Sequence, residues 1–293
     1  MTTIDRQIKM KKFISFIFVI VACYYTTCFA EILKANDIKG IEETLASINQ
    51  DTLVIFDVDD VLIMPKDQIL QSHHRSYLHK LEKALAKQEK EVELFWGVIL
   101  SQRQSILVDK RMPQILNELH SKGIKVLALT HAMTGKLGGI PSMKDWRYNE
   151  LIHHGYDFEK SWQGVKENTF SGLEKSENRL SKDVSSPPMF FKGIIFTEID
   201  KGEALAAFLS HYKLKFKKII FIDDKKKNLA AVERIASKLN IAFVGIEYTA
   251  AAMPTEPLNQ KRAQLQFKTL SKEKKWISDF EADALLANFS KVK

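Results

Sequence analysis

The chain has 293 residues, of which 45% are hydrophobic and 27% charged, and a formal net charge of +8. This is the balance of a soluble globular protein, sufficient for one large domain or a domain with an inserted cap. The basic excess lies in runs such as Lys225-Lys226-Lys227 and Lys272 to Lys275, with no basic stripe interleaved with aromatics. A nucleic-acid partner is therefore not expected, while a mildly basic surface favours encounter with anionic substrates.

Lys9, Lys11 and Lys12 precede an apolar stretch from Phe13 to Ala22, and small residues close the segment at Ala30. A basic start, a short apolar core and a small-residue end read as a secretory signal peptide over 1–30, cleaved after Ala30. The apolar core is too short for a membrane span, so none is expected in the mature protein. Ile20-Val21-Ala22-Cys23 also reads as a bacterial lipobox, which would make Cys23 a lipid anchor instead. Both cysteines, Cys23 and Cys28, fall in this leader, so the cleaved protein would carry no thiol into an oxidising compartment. The protein is thus expected to be exported, to the periplasm or beyond the cell.

Apolar spacing predicts a helix over Ile38 to Ile48, and Asn49-Gln50-Asp51 turns the chain into a strand, Leu53 to Phe56. From Asp67 to Leu107 the pattern is helical and strongly charged, as expected of a helical cap inserted at 67–107. Pro113 opens a helix that Gly123 ends, and Ile124 to Leu129 forms a second buried strand ending in Thr130. Residues 131–188 read as an irregular insertion with one short helix around Trp146 to Ile152. Phe190 to Ile199 is a strand or hairpin, Gly202 to His211 a helix, and Lys218 to Ile222 a strand ending in Asp223-Asp224. A helix over Asn228 to Leu239 and a strand over Ile241 to Ile246 complete a parallel α/β sheet. Two helices from Leu258 to Phe289, with Leu265, Phe267, Leu270, Trp276, Ile277 and Phe280, are expected to pack onto the body. The core would thus comprise 31–66 and 108–293.

The chemistry concentrates at strand ends. Leu53-Val54-Ile55-Phe56-Asp57-Val58-Asp59-Asp60 places three carboxylates within four positions after a buried strand. Such crowding resists desolvation and is unfavourable unless a cation or a phosphate-handling site offsets it. Asp57 and Asp59, two apart, leave an extended chain on the same side. Read separately, each feature has a structural alternative: a polar turn for the Asp cluster, a helix cap for Thr130, an N-cap pair for Asp223-Asp224. Lys201 is less readily structural, because a cation at a helix start opposes the helix dipole. Ligands of open α/β sheets bind beyond the carboxyl ends of the strands, where these four signals can meet.

In order and residue type, Asp57-x-Asp59, Thr130, Lys201 and Asp223-Asp224 resemble the motifs of the haloacid dehalogenase-like (HAD) superfamily, mostly phosphohydrolases. The layout also resembles a poorly characterised exported bacterial branch of it. The resemblance covers Leu53 to Ile246 and implies a Rossmann-like α/β core with a helical cap. It implies Asp57 as the nucleophile that forms an aspartyl-phosphate, and Asp59 as the general acid and then base. It implies Mg²⁺ held by Asp57, the carbonyl of Asp59 and Asp223, with Asp224 as a ligand or as a guide for metal-bound water. Thr130 and Lys201 would bind the phosphate of a small phosphorylated substrate. Asp59 speaks against dehalogenase chemistry, which needs no acid there. Asp60 departs from the family pattern, in which Gly is common at this position, and places an additional charge at the turn.

His131, Arg111, Arg147 and Trp146 are further candidates for the pocket mouth, and His73-His74 is expected on the exposed cap surface. The expected activity is phosphomonoester hydrolysis. The rivals are a catalytically degenerate HAD-like module that binds a partner or host molecule, and a metal-dependent glycosyltransferase using Asp-x-Asp.

Overall fold

A computed structural model describes residues 30–86, 92–173, 187–253 and 256–291. The expected leader, with Cys23 and Cys28, lies outside the described residues apart from Ala30. Among the described residues there are ten strands: β1 (Ala30–Ala35), β2 (Thr52–Phe56), β3 (Ile63–Pro65), β4 (Ser105–Leu107), β5 (Lys125–His131), β6 (Asn168–Thr169), β7 (Met189–Phe191), β8 (Ile194–Thr197), β9 (Lys218–Asp223) and β10 (Ala242–Tyr248). Eight of them form one sheet in the order β1-β10-β9-β2-β5-β8-β7-β6. From β1 through β8 every neighbouring pair is parallel, and β7 and β6 add an antiparallel edge.

The helices are α1 (Ile38–Leu45), α2 (Arg75–Ala86), α3 (Val92–Gln102), α4 (Met112–Ser121), α5 (Met143–His153), α6 (Lys201–His211), α7 (Lys226–Lys238), α8 (Gln260–Glu273) and α9 (Asp279–Lys291). Central strands of such a sheet are covered on both faces and so are apolar throughout. In β2, Val54 and Phe56 enter one core with Ile41, Leu116 and Leu119, while Leu53 and Ile55 enter the other with Leu205, Phe208 and Val232. This is the expected α/β class: a mostly parallel sheet flanked by helices.

Three local features differ from, or refine, the sequence expectation. Ala30–Ala35, which spans the expected end of the leader and the start of the core with no element assigned to it from the sequence, is an edge strand paired with β10. Its side chains are buried only alternately, so its sequence lacks the apolar run that marks β2. The ambiguous Phe190–Ile199 segment is a hairpin, turned by Lys192 (φ 48°) and Gly193 (φ 79°). Two positive φ values match the mirror-image turns that hairpins favour. At Gly193 a Cβ would also stand 2.5 Å from the Phe158 carbonyl oxygen, so no larger residue fits.

The third difference concerns the tail. β3 and β4 pair antiparallel and form a neck that carries α2 and α3 outward as an insertion. The tail helices pack on that insertion instead of extending the sheet's two cores. Phe267, Leu270 and Trp276 form a third core with Leu78, Leu85, Phe95 and Ile99. Polar bonds fasten the junction: Trp276 Nε1 donates to Asp67 Oδ2 (2.8 Å), and the Asp279 N–H donates to Asp67 Oδ1 (2.9 Å). Phe280, expected to pack, is 84% exposed, and Leu265 is only half-buried. The tail, expected on the body, thus meets the insertion, because an amphipathic helix pattern does not specify which apolar surface it will meet.

Candidate active site

Phe56 is in register with Ile222 of β9 and with Ala128 of β5. Asp57 and Asp223 therefore emerge side by side at the carboxyl end of the sheet. Both are buried, and Lys201 at the first turn of α6 lies between them. Its Nζ is 2.8 Å from Asp57 Oδ1 and 2.7 Å from Asp223 Oδ2. Gly202 permits this placement, since a Cβ there would stand 2.2 Å from the Ala231 carbonyl oxygen of α7. The two carboxylates offset the unfavourable position of a cation at a helix start, and they raise the Lys201 pKa although burial alone would lower it.

Further hydrogen bonds hold the two buried acids. Asp57 Oδ1 accepts from the Val58 N–H (2.7 Å). Asp223 accepts from the Lys225 N–H (2.8 Å) and from Asn228 Nδ2 (2.9 and 3.0 Å). Asp224 pairs with Lys225 Nζ at 3.2 Å, so Lys225, read as part of a solvated run, is a site residue. Oxygens of Asp57, Asp223 and Asp224 lie within 4.8 Å of one another. Burial, opposed by Lys201 and reinforced by Asp223, pushes Asp57 up to about 7. Burial, with Asp224 and Asp59 nearby, does the same to Asp60, and burial also raises Asp224.

The turn after β2 explains Asp60. Leu62 and Ile63 donate to the Val58 carbonyl at 2.9 and 3.1 Å, and the Asp60 N–H donates to the Ile63 carbonyl at 2.9 Å. This closes a tight loop in which Asp60 has φ 65°, a left-handed conformation natural for Gly and tolerated by Asp. Its carboxylate faces the same cavity as Asp57 and Asp59.

That cavity, about 470 Å³, runs from the strand ends to the underside of the helical insertion. Asp59 sits at its side, where Arg147 Nη2 contacts Asp59 Oδ2 at 3.1 Å. Arg147 in turn pairs with Glu150 (2.6 Å), which also holds Arg103 (3.1 Å). Trp96, Leu78 and Arg75 of the insertion form the roof.

Lys201 is thus in direct contact with Asp57 and Asp223, Asp224 is adjacent, and Asp59 lies at the side of the cavity with Arg147. Thr130 is fully buried with an unpartnered hydroxyl, and at the end of β5 it is His131 that lines the cavity. Arg147 belongs to the site, whereas Arg111 pairs with Glu42 on another surface. Trp146 packs against the guanidinium groups of Arg103 and Arg147. His73 and His74 are half-buried and meet edge to face with ring centres 4.1 Å apart, not displayed on the cap surface. Sequence reading missed Asn228, Lys225, Arg103 and Glu150. Asn228 had a signal, since it lies in the first turn of the helix, five residues after Asp223; Arg103 and Glu150 had none.

No helix among the described residues is long and apolar enough to cross a membrane. The chain is 29% identical to an uncharacterized protein of Rickettsia prowazekii, over 85% of this chain and 88% of that one. It is 24% identical to a protein of Chlamydia pneumoniae named "putative outer membrane protein", over 93% and 97% of the two chains. A Chlamydia trachomatis protein with the same description is 25% identical over 73% and 76%. A family model described as "protein of unknown function (DUF2608)" matches residues 34–283, and the chain belongs to that family.

Proposed function

We propose that this protein is an exported, Mg²⁺-dependent phosphohydrolase of the HAD-like type, acting on phosphomonoesters through an aspartyl-phosphate. The observation that carries the reading is the buried Lys201 ammonium bridging Asp57 and Asp223 at the ends of adjacent strands. A purely structural turn has no need of two desolvated carboxylates and a cation there, because burying such a group costs several kcal/mol unless the network is complete, about the size of a whole domain's margin.

Asp57 has one oxygen anchored by Val58 and Lys201, which leaves the other for attack on phosphorus. As that bond forms, the bond from phosphorus to the leaving oxygen breaks, and Asp59 gives its proton to that oxygen. Asp59 then takes a proton from water, whose oxygen attacks the phosphorus, releasing inorganic phosphate and the Asp57 carboxylate. Asp59 is suited to this exchange because its side chain is 43% exposed and is oriented by Arg147. Lys201 offsets charge on Asp57 and on the transferring group.

The donor set fits a hard cation: the three carboxylates are close together, entirely oxygen, and hold more negative charge than their burial accommodates. Mg²⁺ would be held by Asp57, the Asp59 carbonyl, Asp223 and Asp224, and would supply charge neutralisation for phosphoryl transfer. Export is supported by the basic-then-apolar leader and by chlamydial relatives named as outer membrane proteins. The destination is the periplasm or the exterior, with a lipid anchor at Cys23 as the alternative.

The test is phosphate release from a panel of phosphomonoesters, with and without Mg²⁺, compared with Asp57→Asn. Mg²⁺-dependent release lost in the variant supports the reading. Equal release by the variant, or none from any substrate, overturns it.

A further inference from the structure

At the junction of floor and roof, Arg103 follows α3 directly, while Arg147 and Glu150 come from α5. Their side chains are only 4%, 6% and 11% exposed, yet both arginines line the cavity. Glu150 divides its carboxylate between them: Oε1 forms an ion pair with Arg103 Nη2 at 3.1 Å, and Oε2 accepts from Arg147 Nη1 at 2.6 Å. Trp146 lies against both guanidinium groups, 5.6 and 5.1 Å from the ring centre. Two forks are thus fixed in orientation by one carboxylate and one indole.

The network is incomplete. Arg103 Nη1 and Arg147 Nε are buried donors without a hydrogen-bond partner. Guanidinium groups remain charged in proteins, and a buried unpaired donor costs about 1–3 kcal/mol. Asp59, the other carboxylate touching the pair, reaches only Arg147. A network serving structure alone would close its donors on carbonyl groups; this one leaves cationic N–H groups beside an open cavity. Planar forks of this kind suit carboxylate and phosphate oxygens.

We propose that Arg103 and Arg147 form an anion subsite, and that the substrate is a short phosphomonoester bearing a second anionic group, a carboxylate or another phosphate. This rests on the phosphohydrolase reading. Arg147 lies 3.1 Å from Asp59, the group proposed to protonate the leaving oxygen, so the second anion belongs to the leaving group. Its position beside Asp59 limits the spacer to a few bonds. Arg75 of α2, at the roof of the same cavity, adds a further positive charge on the approach.

The test uses phosphates of three-carbon alcohols that end in a methyl, a carboxylate or a second phosphate. The wild-type protein is expected to favour an anionic end by 10- to 100-fold in kcat/KM, on the order of a charged hydrogen-bond pair. Arg103→Gln should reduce that ratio towards one, and Arg103→Lys should restore part of it. The carboxylate and phosphate arms tell which anion is preferred. In parallel, calorimetry compares binding of propylphosphonate and 3-phosphonopropionate, which requires no turnover. Preferential binding of the second compound without hydrolysis of any ester would retain the subsite and sink the hydrolase. Equal binding and equal kcat/KM for methyl and anionic ends in the wild type would overturn the subsite, whether or not Arg103→Gln folds. A preference unchanged in a folded Arg103→Gln would overturn it as well.

Discussion

The floor of the cavity and its roof are built on different principles. The floor consists of strand ends, in which β2 and β9 lie in register and deliver Asp57 and Asp223 to one point. The roof consists of α2 and α3 on a two-stranded neck, held by α8 and α9 from the other end of the chain. Backbone hydrogen bonds set the floor's geometry, whereas side-chain packing and one buried polar junction set the roof's. The floor is therefore suited to invariant chemistry, and the roof to selecting what enters. Natural sites on rigid elements are the more accurately positioned.

The comparison can be broken most severely at the floor. Asp57→Asn is expected to lower kcat at least about 10⁴-fold, roughly 5 kcal/mol in the transition state, while its circular dichroism stays that of the wild type. A variant that kept a tenth of the activity would remove Asp57 from the chemistry.

At the roof, Trp276→Ala removes a buried indole and its bond to Asp67. A loss of about 3–4 kcal/mol is expected in denaturant unfolding. Hydrogen exchange should accelerate together in 75–86, 94–102 and 260–288 while β2 and β9 remain protected. Equal acceleration in both regions would mean that floor and roof are one cooperative unit.

A smaller effect separates proton from metal. Asp57 and Asp60 have folded pKa values of about 7, above the ordinary 3.8. A raised carboxyl pKa contributes stability that is full below about pH 4 and is lost as pH rises through about 7. The metal-free protein should therefore lose stability across that window. Mg²⁺ at the proposed site would compete with those protons and should stabilise the protein more at pH 8 than at pH 5, reaching about 2–3 kcal/mol at pH 8 for a hundredfold excess over Kd, read as the larger rise in Tm. An equal Mg²⁺ effect at both pH values would disconnect the cation from these carboxylates.

The smallest expected effect is at the turn. Asp60→Gly should leave stability within about 1 kcal/mol of wild type, since φ 65° suits Gly, whereas Asp60→Val should cost about 1–2 kcal/mol more than Gly. Thermal melts of the pair check this, and equal melting of the Gly and Val variants would refute the conformational account of Asp60.

The floor was legible before any coordinates. Leu53 to Phe56 and Ile219 to Ile222 are apolar runs that only a strand covered on both faces requires, and the acids follow immediately in the chain. Lys201 was legible because a cation at a helix start needs a reason, here its contacts with Asp57 and Asp223. Asp60 was visible as an anomaly but not as a left-handed residue, because the turn that imposes φ 65° is closed by Val58 and Ile63. Thr130 is buried at the end of β5, and its neighbour His131 is the residue that lines the cavity. A one-residue difference along a strand exchanges its faces.

By itself, then, the sequence determined the α/β rhythm and the order of the strand-end acids, since each buried strand needs its apolar residues whatever its neighbours are. Tertiary structure alone decided that α8 and α9 would hold the roof and that Glu150 would bring Arg103 beside Arg147. Those choices depend on how separate surfaces fit in shape and charge, and no local pattern in the chain encodes that fit.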